Sequence, residues 1–515
     1  MPSPHPLLPR STPAASGMSS RAITALLDRL DAHSVECHSL MIVHRGHVIA
    51  EGWWAPYDAD RPHLLYSLTK SFTAIAVGLA VTDGLLSPDD RIAQILPEHV
   101  PADLHRQAHR LTVHHLLSMT TGHRTDSLAE AWQREPGDLV TGFLRVPFPD
   151  PVGTRHAYDN PTTFILARMV EKVTGRPLPD LLDERLFLPM GIDHAEWDRV
   201  ASGAAFGFHG LHLRTEAVAA FGQLLLREGR WGERQLIPRS WVRLATRPHI
   251  DTQPFEDGSG NADYLRGYGY QFWISRHGYH GDGSFGQLCV VVPSHDLVVA
   301  VTGAHTRAQA VLDAIWECLL PGVGHAASTP DDAASARDDA GDAASTRDDA
   351  GDAASARDDE LLAERLRRLS LPPVPGSAAP HRSAKARLDA STEDSALPDA
   401  TTVAVDPVGG GWLVRFGPFP EIGSLPGAET FLDVEVGHGE WRESSPLGRP
   451  VVATGAWQGD TFVAELYVIT TPHRVRLVVD TGTGTAVATW NIAPLTGSDL
   501  RVHLRSPLMT RPDVA

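Results

Sequence analysis

Tyr66-Ser67-Leu68-Thr69-Lys70-Ser71-Phe72 opens an apolar run that continues through Ile75, Leu79 and Val81 to Asp83. The spacing predicts a helix from about Ser67 to Asp83, with Gly84 as its stop. Only three lysines, Lys70, Lys172 and Lys385, stand among the 45 basic residues of the chain. Arginine stays protonated, whereas a desolvated lysine amine can take a proton from a hydroxyl. A lysine kept in so arginine-biased a sequence, one helical turn from a serine, points to a need for the amine itself. At a helix mouth the Ser67 backbone N–H has no intrahelical partner and faces whatever lies above it. Lys70 falls on the same face one turn on, where it can accept the hydroxyl proton. Taken alone, the same residues also fit a serine N-cap followed by a surface lysine.

Outward from this helix the pattern is that of an α+β domain. A helix follows Ser19, with Ile23, Leu26, Leu27 and Leu30 on one face. Ser39–His44 and His47–Glu51 flank Arg45-Gly46 as a β-hairpin. Helices are expected at 112–119, 161–174, 178–186, 215–228, 238–246 and 306–319. Strands are expected at 268–274, 287–292 and 297–302, the last two joined by Pro293-Ser294-His295. Strands at both ends with helices between them pair most simply into one antiparallel sheet with a helical subdomain.

Beyond this domain the composition changes twice. From 322 to 359 it collapses to Ala, Asp, Ser, Arg and Gly, with a ten-residue repeat starting at Ala333 and again at Ala343. Such a period buries no core and reads as an acidic, disordered linker. Residues 360–400 read as a short helix followed by a Pro- and Ser-rich connector, and 401–515 as a small all-β sandwich or barrel. With 1–18 as a flexible extension and 19–321 as the α+β domain, these are the expected parts of the chain.

Two further segments carry chemistry. Tyr158-Asp159-Asn160-Pro161 offers a phenol that a nearby lysine can hold partly ionised for proton relay. Asn160 is suited to donate its amide to a substrate carbonyl or to Lys70, and equally to cap a helix that begins at Pro161. His280-Gly281-Asp282-Gly283-Ser284-Phe285-Gly286 lets backbone approach a ligand closely, and it also fits a glycine-rich turn.

The order and spacing of these segments resemble the serine β-lactamase and penicillin-binding-protein-like superfamily. The likeness lies nearest its class C-like branch of carboxylesterases, D-amino acid peptidases and amidases, and 6-aminohexanoate-dimer hydrolase. It runs from about Ser19 to Pro321 and includes the connecting stretches His115–Gly122, Leu188–Ile192 and Gly267–Trp273. The resemblance implies a serine hydrolase that forms a covalent acyl-enzyme on small esters or amides. Ser67 would be the nucleophile, Lys70 its general base, Tyr158 a second proton shuttle and Asn160 a positioning group. His280, Gly281, Asp282 and Gly283 would position substrate, and the backbone N–H groups of Ser67 and Ser284 would form the oxyanion hole. The third motif departs from the lactamase pattern, because Gly281 stands where a lysine would hold a substrate carboxylate. Neutral esters or amides are therefore favoured over β-lactams. A true β-lactamase and a slowly acylating or non-catalytic ligand-binding module are the alternatives.

Composition narrows the rest. The formal charge of −18 includes 11 acidic residues against three arginines between Asp331 and Glu360. Without that segment the chain is mildly acidic, with no basic stripe for nucleic acid. Three scattered cysteines give neither a disulfide framework nor a zinc site, and each reads as a small buried apolar residue. His114, His115 and His123 lack a carboxylate at ligand spacing, so no metal and no cofactor is expected. No Gly-x-Ser-x-Gly elbow, Walker loop or dinucleotide fingerprint occurs. The N-terminus lacks a signal peptide's apolar core and no run spans a membrane, which reads as cytoplasmic. Gly122–Pro136 and Ile250–Leu265 are the segments expected to set specificity. Trp53 and Trp273 are expected in the core or as walls of an acyl pocket.

Overall fold

The computed structural model describes residues 6–200, 202–253, 261–324, 345–378, 383–420, 429–505 and 509–510. Its first body is built on a six-stranded sheet in the order His47–Trp53, Cys37–His44, Leu297–Gly303, Gln287–Val292, Gly278–Gly283, Trp273–Ser275. Every neighbouring pair is antiparallel. Cys37–His44 and Leu297–Gly303 are neighbouring interior strands, buried along their whole length. Their side chains alternate between two cores, as the period of a strand requires. Leu40, Ile42, Val299 and Val301 face the helix Ser20–Ala32, while Met41, Val43, Val298 and Ala300 face the helix Thr215–Leu226 and the helical subdomain.

The helix Thr69–Thr82 is buried from Thr69 to Ala80 and lies between the sheet and the helix Asn160–Thr174. A helix apolar on every side must be enclosed. Phe72 stacks on Phe221 with ring centroids 4.0 Å apart, so truncating it to alanine removes ~3–5 kcal/mol of packing.

Several expectations need correction. The strand expected at 268–274 is confined to Trp273–Ser275, and the glycine-rich segment divides: its first part belongs to the strand Gly278–Gly283, and residues 284–286 form the expected hairpin turn. Two helices, Leu128–Arg134 and Leu139–Arg145, had too little apolar periodicity to be read. The N-terminal extension is not loose from Pro6 onward: Leu8 is buried, and the N–H groups of Leu7 and Leu8 donate to Glu216. A helix runs over Ser345–Arg367, beginning inside the segment expected to be disordered. Its Leu362 and Leu366 pack on the sheet face that holds Ile49. Residues 325–344 of that segment lie outside the described residues.

The C-terminal body is all-β, one nine-stranded sheet around its own core. Val451–Gln458 and Ala384–Leu388 join the expected strands, the latter taken from the supposed connector. The sheet curls until Gly437 pairs with Thr454, which brings its two ends together as in a barrel. This domain rests directly on the first. Leu64 N–H donates to Thr470 O at 2.8 Å, and Tyr57 OH donates to Thr471 O at 3.2 Å. Arg449, 2% exposed, donates to Glu196 and Asp198 at 3.1 and 3.2 Å. Cys37 and Cys289 are buried as expected, while Cys318 is half-buried. Among the described residues no helix is long and apolar enough to cross a membrane.

Candidate active site

The 3-10 turn Tyr66–Leu68 leads into the helix Thr69–Thr82 and sets Ser67 at its mouth. Lys70 is 1% exposed. Its Nζ donates to Ser67 Oγ at 2.8 Å, Asn160 Oδ1 at 2.7 Å and Phe208 O at 3.0 Å. Every proton of the ammonium therefore has a partner. Burial pulls the amine down to about 7, while Asp126, Asp282 and Asp159 oppose the fall. Near neutral pH much of it is the free base, the form able to take a proton.

Tyr158 is hydrogen-bonded to Ser67 and its ring centroid lies 4.8 Å from Lys70 Nζ. Trp273 stacks behind it at 5.8 Å, nearly parallel. Burial pushes the phenol well above its ordinary value, against the bond to Ser67, with Asp282 and Asp126 adding to the rise. The partly ionised phenol expected from the sequence is thus replaced by one that keeps its proton at rest.

Asn160 is the first residue of its helix, so Asp159 rather than Asn160 occupies the capping position. Its orientation follows from chemistry: lysine only donates and carboxylate only accepts. Oδ1 therefore faces Lys70, while Nδ2 and the backbone N–H donate to Asp126 at 2.6 and 3.0 Å. The amide accepts from Lys70 instead of donating to it as expected, and Nδ2 spends one of its two N–H groups on Asp126. Asp159 is itself buried and accepts from Ser127 N, Ser127 Oγ and His123 Nδ1, each at 2.8 Å. That bond set pins the loop carrying Asp126.

The third segment divides. Ser284 lines the same cavity as Ser67. Asp282 accepts from Tyr264 OH at 2.9 Å; burial lifts it to about 7, against that bond and the Lys70 amine. His280 is a correction. Its side chain is fully buried outside the cavity, Nδ1 on Ser275 Oγ at 2.6 Å, and burial lowers it to about 4, so it presents no positive charge. The glycines serve close approach. A Cβ on Gly281 would meet Leu68 Cδ1 at 2.4 Å, and one on Gly283 would meet Leu65 O at 2.0 Å.

The cavity over Ser67 measures about 280 Å³. Its apolar wall comes from Leu128, Trp132, Phe206, Phe208 and, from the C-terminal domain, Leu495. Trp53 takes no part in it and packs half-buried against the core, and Trp273 is not in its lining but stacks on Tyr158. Gly122–Pro136 supplies Asp126, Leu128 and Trp132 to the wall. Of Ile250–Leu265, residues 254–260 lie outside the described residues. Sequence reasoning missed Asp126, Phe206, Phe208 and Leu495, none of which sits in a local pattern that marks it.

Among the described residues one cluster has the spacing of metal ligands, Glu196, Asp198 and His212, all within 4.8 Å. The Arg449 guanidinium bonds both of its carboxylates, so that charge is met by the protein itself. The three histidines considered from the sequence are each bonded elsewhere: His114 to Tyr270, His115 to Thr112 and His123 to Asp159.

Comparison with known proteins places this geometry. The chain is 22% identical over 373 residues to an Escherichia coli K12 protein named "Putative D-alanyl-D-alanine carboxypeptidase", covering 58% of this chain and 85% of that one. It is 24% identical over 307 residues to the 6-aminohexanoate-dimer hydrolase of Paenarthrobacter ureafaciens, covering 56% and 78%. A solved Bacillus anthracis structure titled "Putative 6-aminohexanoate-dimer hydrolase" shares the fold, with a TM-score of 0.50 at 18% identity over 60% of this chain and 86% of that one. Residues 23–316 match the family model described as Beta-lactamase, and the chain belongs to that family of serine hydrolases.

Proposed function

We propose that this chain hydrolyses small esters or amides through an acyl-enzyme on Ser67. Neutral Lys70 takes the hydroxyl proton as Ser67 Oγ attacks the carbonyl carbon. The oxyanion that forms accepts hydrogen bonds from the backbone N–H groups of Ser67 and Ser284. Tyr158 gives its proton to the leaving oxygen or nitrogen as the C–O or C–N bond breaks, and recovers one from Lys70. Water then attacks the acyl-enzyme by the same relay reversed, releasing the acid and restoring Ser67. The observation that carries this reading is the buried Lys70 amine, 2.8 Å from Ser67 Oγ and drawn down to about 7. Asn160, Asp126 and Asp282 tune that amine.

The cavity supports an uncharged, apolar acyl group. Its wall is mostly aromatic and aliphatic, and its one carboxyl group among the described lining residues is Asp126, which burial and Asp159 push above its ordinary range. A substrate carboxylate would meet no free cation there, and the Leu68 and Ser71 side chains leave no room for one at Gly281. This weighs against β-lactams. We read Gly281 and Gly283 as bringing the strand close to the nucleophile, and assign His280 no part.

The test is hydrolysis of p-nitrophenyl acyl esters, D-amino acid amides and nitrocefin by the wild type, Ser67→Ala and Lys70→Ala. Ester or amide turnover that vanishes in both variants is expected. Turnover surviving in Ser67→Ala, or fast Ser67-dependent turnover of nitrocefin above the esters and amides, would overturn the reading.

A further inference from the structure

Two residues beside the reacting groups hold a backbone conformation that side chains resist. Tyr66, immediately before Ser67, has φ of 48°, and Phe285, immediately after Ser284, has φ of 68°. The left-handed region costs a bulky residue ~1–3 kcal/mol and persists only where surroundings enforce it. Here the two strained residues support each other, ring edge to ring face, with centroids 5.1 Å apart at 85°.

What holds both rings belongs to the other domain. The His473 ring meets Tyr66 at 5.7 Å and 84°, and Phe285 at 5.4 Å and 77°. His473 is 1% exposed, and its Nδ1 lies 2.8 Å from Ile492 O. A carbonyl only accepts, so Nδ1 carries the proton and Nε2 is left as acceptor. The Tyr66 hydroxyl, bonded to that Nε2, must therefore donate. Three residues before His473 in the same turn, Thr470 O takes the Leu64 N–H at 2.8 Å. The C-terminal domain thus grips the chain at Leu64 and Tyr66, just ahead of Ser67.

Granting the hydrolase reading above, we propose that His473 is a positioning residue for the oxyanion hole. By holding the Tyr66 and Phe285 rings it fixes the turns from which the Ser67 and Ser284 N–H groups project. The C-terminal domain is then a required part of the catalytic apparatus. Its contribution falls on the developing oxyanion and leaves the Lys70 proton relay alone. Removing one oxyanion donor outright costs 10²–10³ in kcat, so a donor pair that loses its alignment is expected to lose part of that.

The test compares Tyr66→Phe, His473→Phe, their double variant and Ser67→Ala in the full chain, on the p-nitrophenyl ester that the wild type turns over fastest. Tyr66→Phe removes one oxygen and keeps the ring packing, so it decides the matter even if His473→Phe misfolds. The expected result is a kcat lowered about 10–100-fold in each variant with KM within threefold. The inflection of the pH–rate profile should not move, and the double variant should be no worse than the weaker single. A kcat within threefold of wild type in Tyr66→Phe, losses that multiply in the double variant, or a moved inflection would overturn the proposal. Ser67→Ala separates the two claims. If it is inactive while Tyr66→Phe keeps full kcat, only the role of His473 fails; if it is active, the hydrolase reading fails.

Discussion

The pH dependence of acylation follows directly from where Lys70 is buried. Its amine is drawn from an ordinary 10.5 to about 7, chiefly by loss of solvent. At about 1.4 kcal/mol for each pH unit, that is ~5 kcal/mol of favour for the neutral form. If Ser67 reacts only when Lys70 is neutral, the acylation rate should climb with unit slope up to about pH 7 and then level off. At pH 5 the neutral fraction is ~1%, so the rate should lie ~100-fold below the plateau. Tyr158 keeps its proton throughout this range, so no descending limb is expected below pH 10. The assay is the second-order rate of fluorophosphonate labelling from pH 5 to 10. Asp282, itself lifted to about 7, is the rival source of such a limb. In Asp282→Asn a limb owed to Lys70 persists and moves to lower pH, because a carboxylate that raised the amine has gone. A rate still climbing past pH 9, or a limb that disappears in Asp282→Asn, would refute the reasoning. The same displacement bears on stability. The unfolded lysine holds its proton up to 10.5 and the folded one only to about 7, so Lys70 makes stability rise with pH across that window.

Further outcomes follow from packing. Gly283→Ala would place a Cβ 2.0 Å from Leu65 O, so the strand must retreat from the nucleophile turn. A loss of activity of at least 100-fold is expected, with a visible drop in melting temperature; wild-type kinetics would contradict it. Leu495 is 64% exposed at the cavity mouth, so Leu495→Ala should cost under ~0.5 kcal/mol in urea unfolding. It should nonetheless raise KM for longer acyl chains more than for acetyl esters. Arg449→Met leaves Glu196 and Asp198 without the guanidinium that joins the domains. A loss of ~3–5 kcal/mol is expected by urea denaturation, and a change under ~1 kcal/mol would show the pair to be idle.

Much of the fold was legible because it rests on local signals. The buried strands Cys37–His44 and Leu297–Gly303 carry the apolar runs Leu40–Val43 and Leu297–Val301, and the Arg45-Gly46 turn between Cys37–His44 and His47–Trp53 is marked by its glycine. Ser67, Lys70, Tyr158 and Asn160 were singled out by residue type and spacing together with the family resemblance, and the structure gathers them around Lys70 Nζ. The strand Gly278–Gly283 escaped notice because glycine weakens the strand pattern, yet the backbone packs against Leu65 and Leu68 only without side chains. His280 misled for a related reason: adjacency in sequence to Gly281 says nothing about which face of a strand a side chain takes. Asp126 bonds Asn160 and holds up the Lys70 amine, and its sequence neighbours carry no catalytic pattern. The part played by the C-terminal domain was invisible, since Tyr66 and His473 meet only through the docking of two bodies. The part of helix Ser345–Arg367 before Glu360 was read as linker because it is low in apolar residues, while the part from Glu360 on was expected as helix and anchors the whole through Leu362 and Leu366.

Peptide mass mapping after brief exposure to a fluorophosphonate asks which oxygen in this protein reacts. A single adduct on the peptide that contains Ser67, absent from Ser67→Ala and strongly reduced in Lys70→Ala, is the expected result. An adduct on any other serine, or equal labelling of Ser67 without the Lys70 amine, would contradict the central claim.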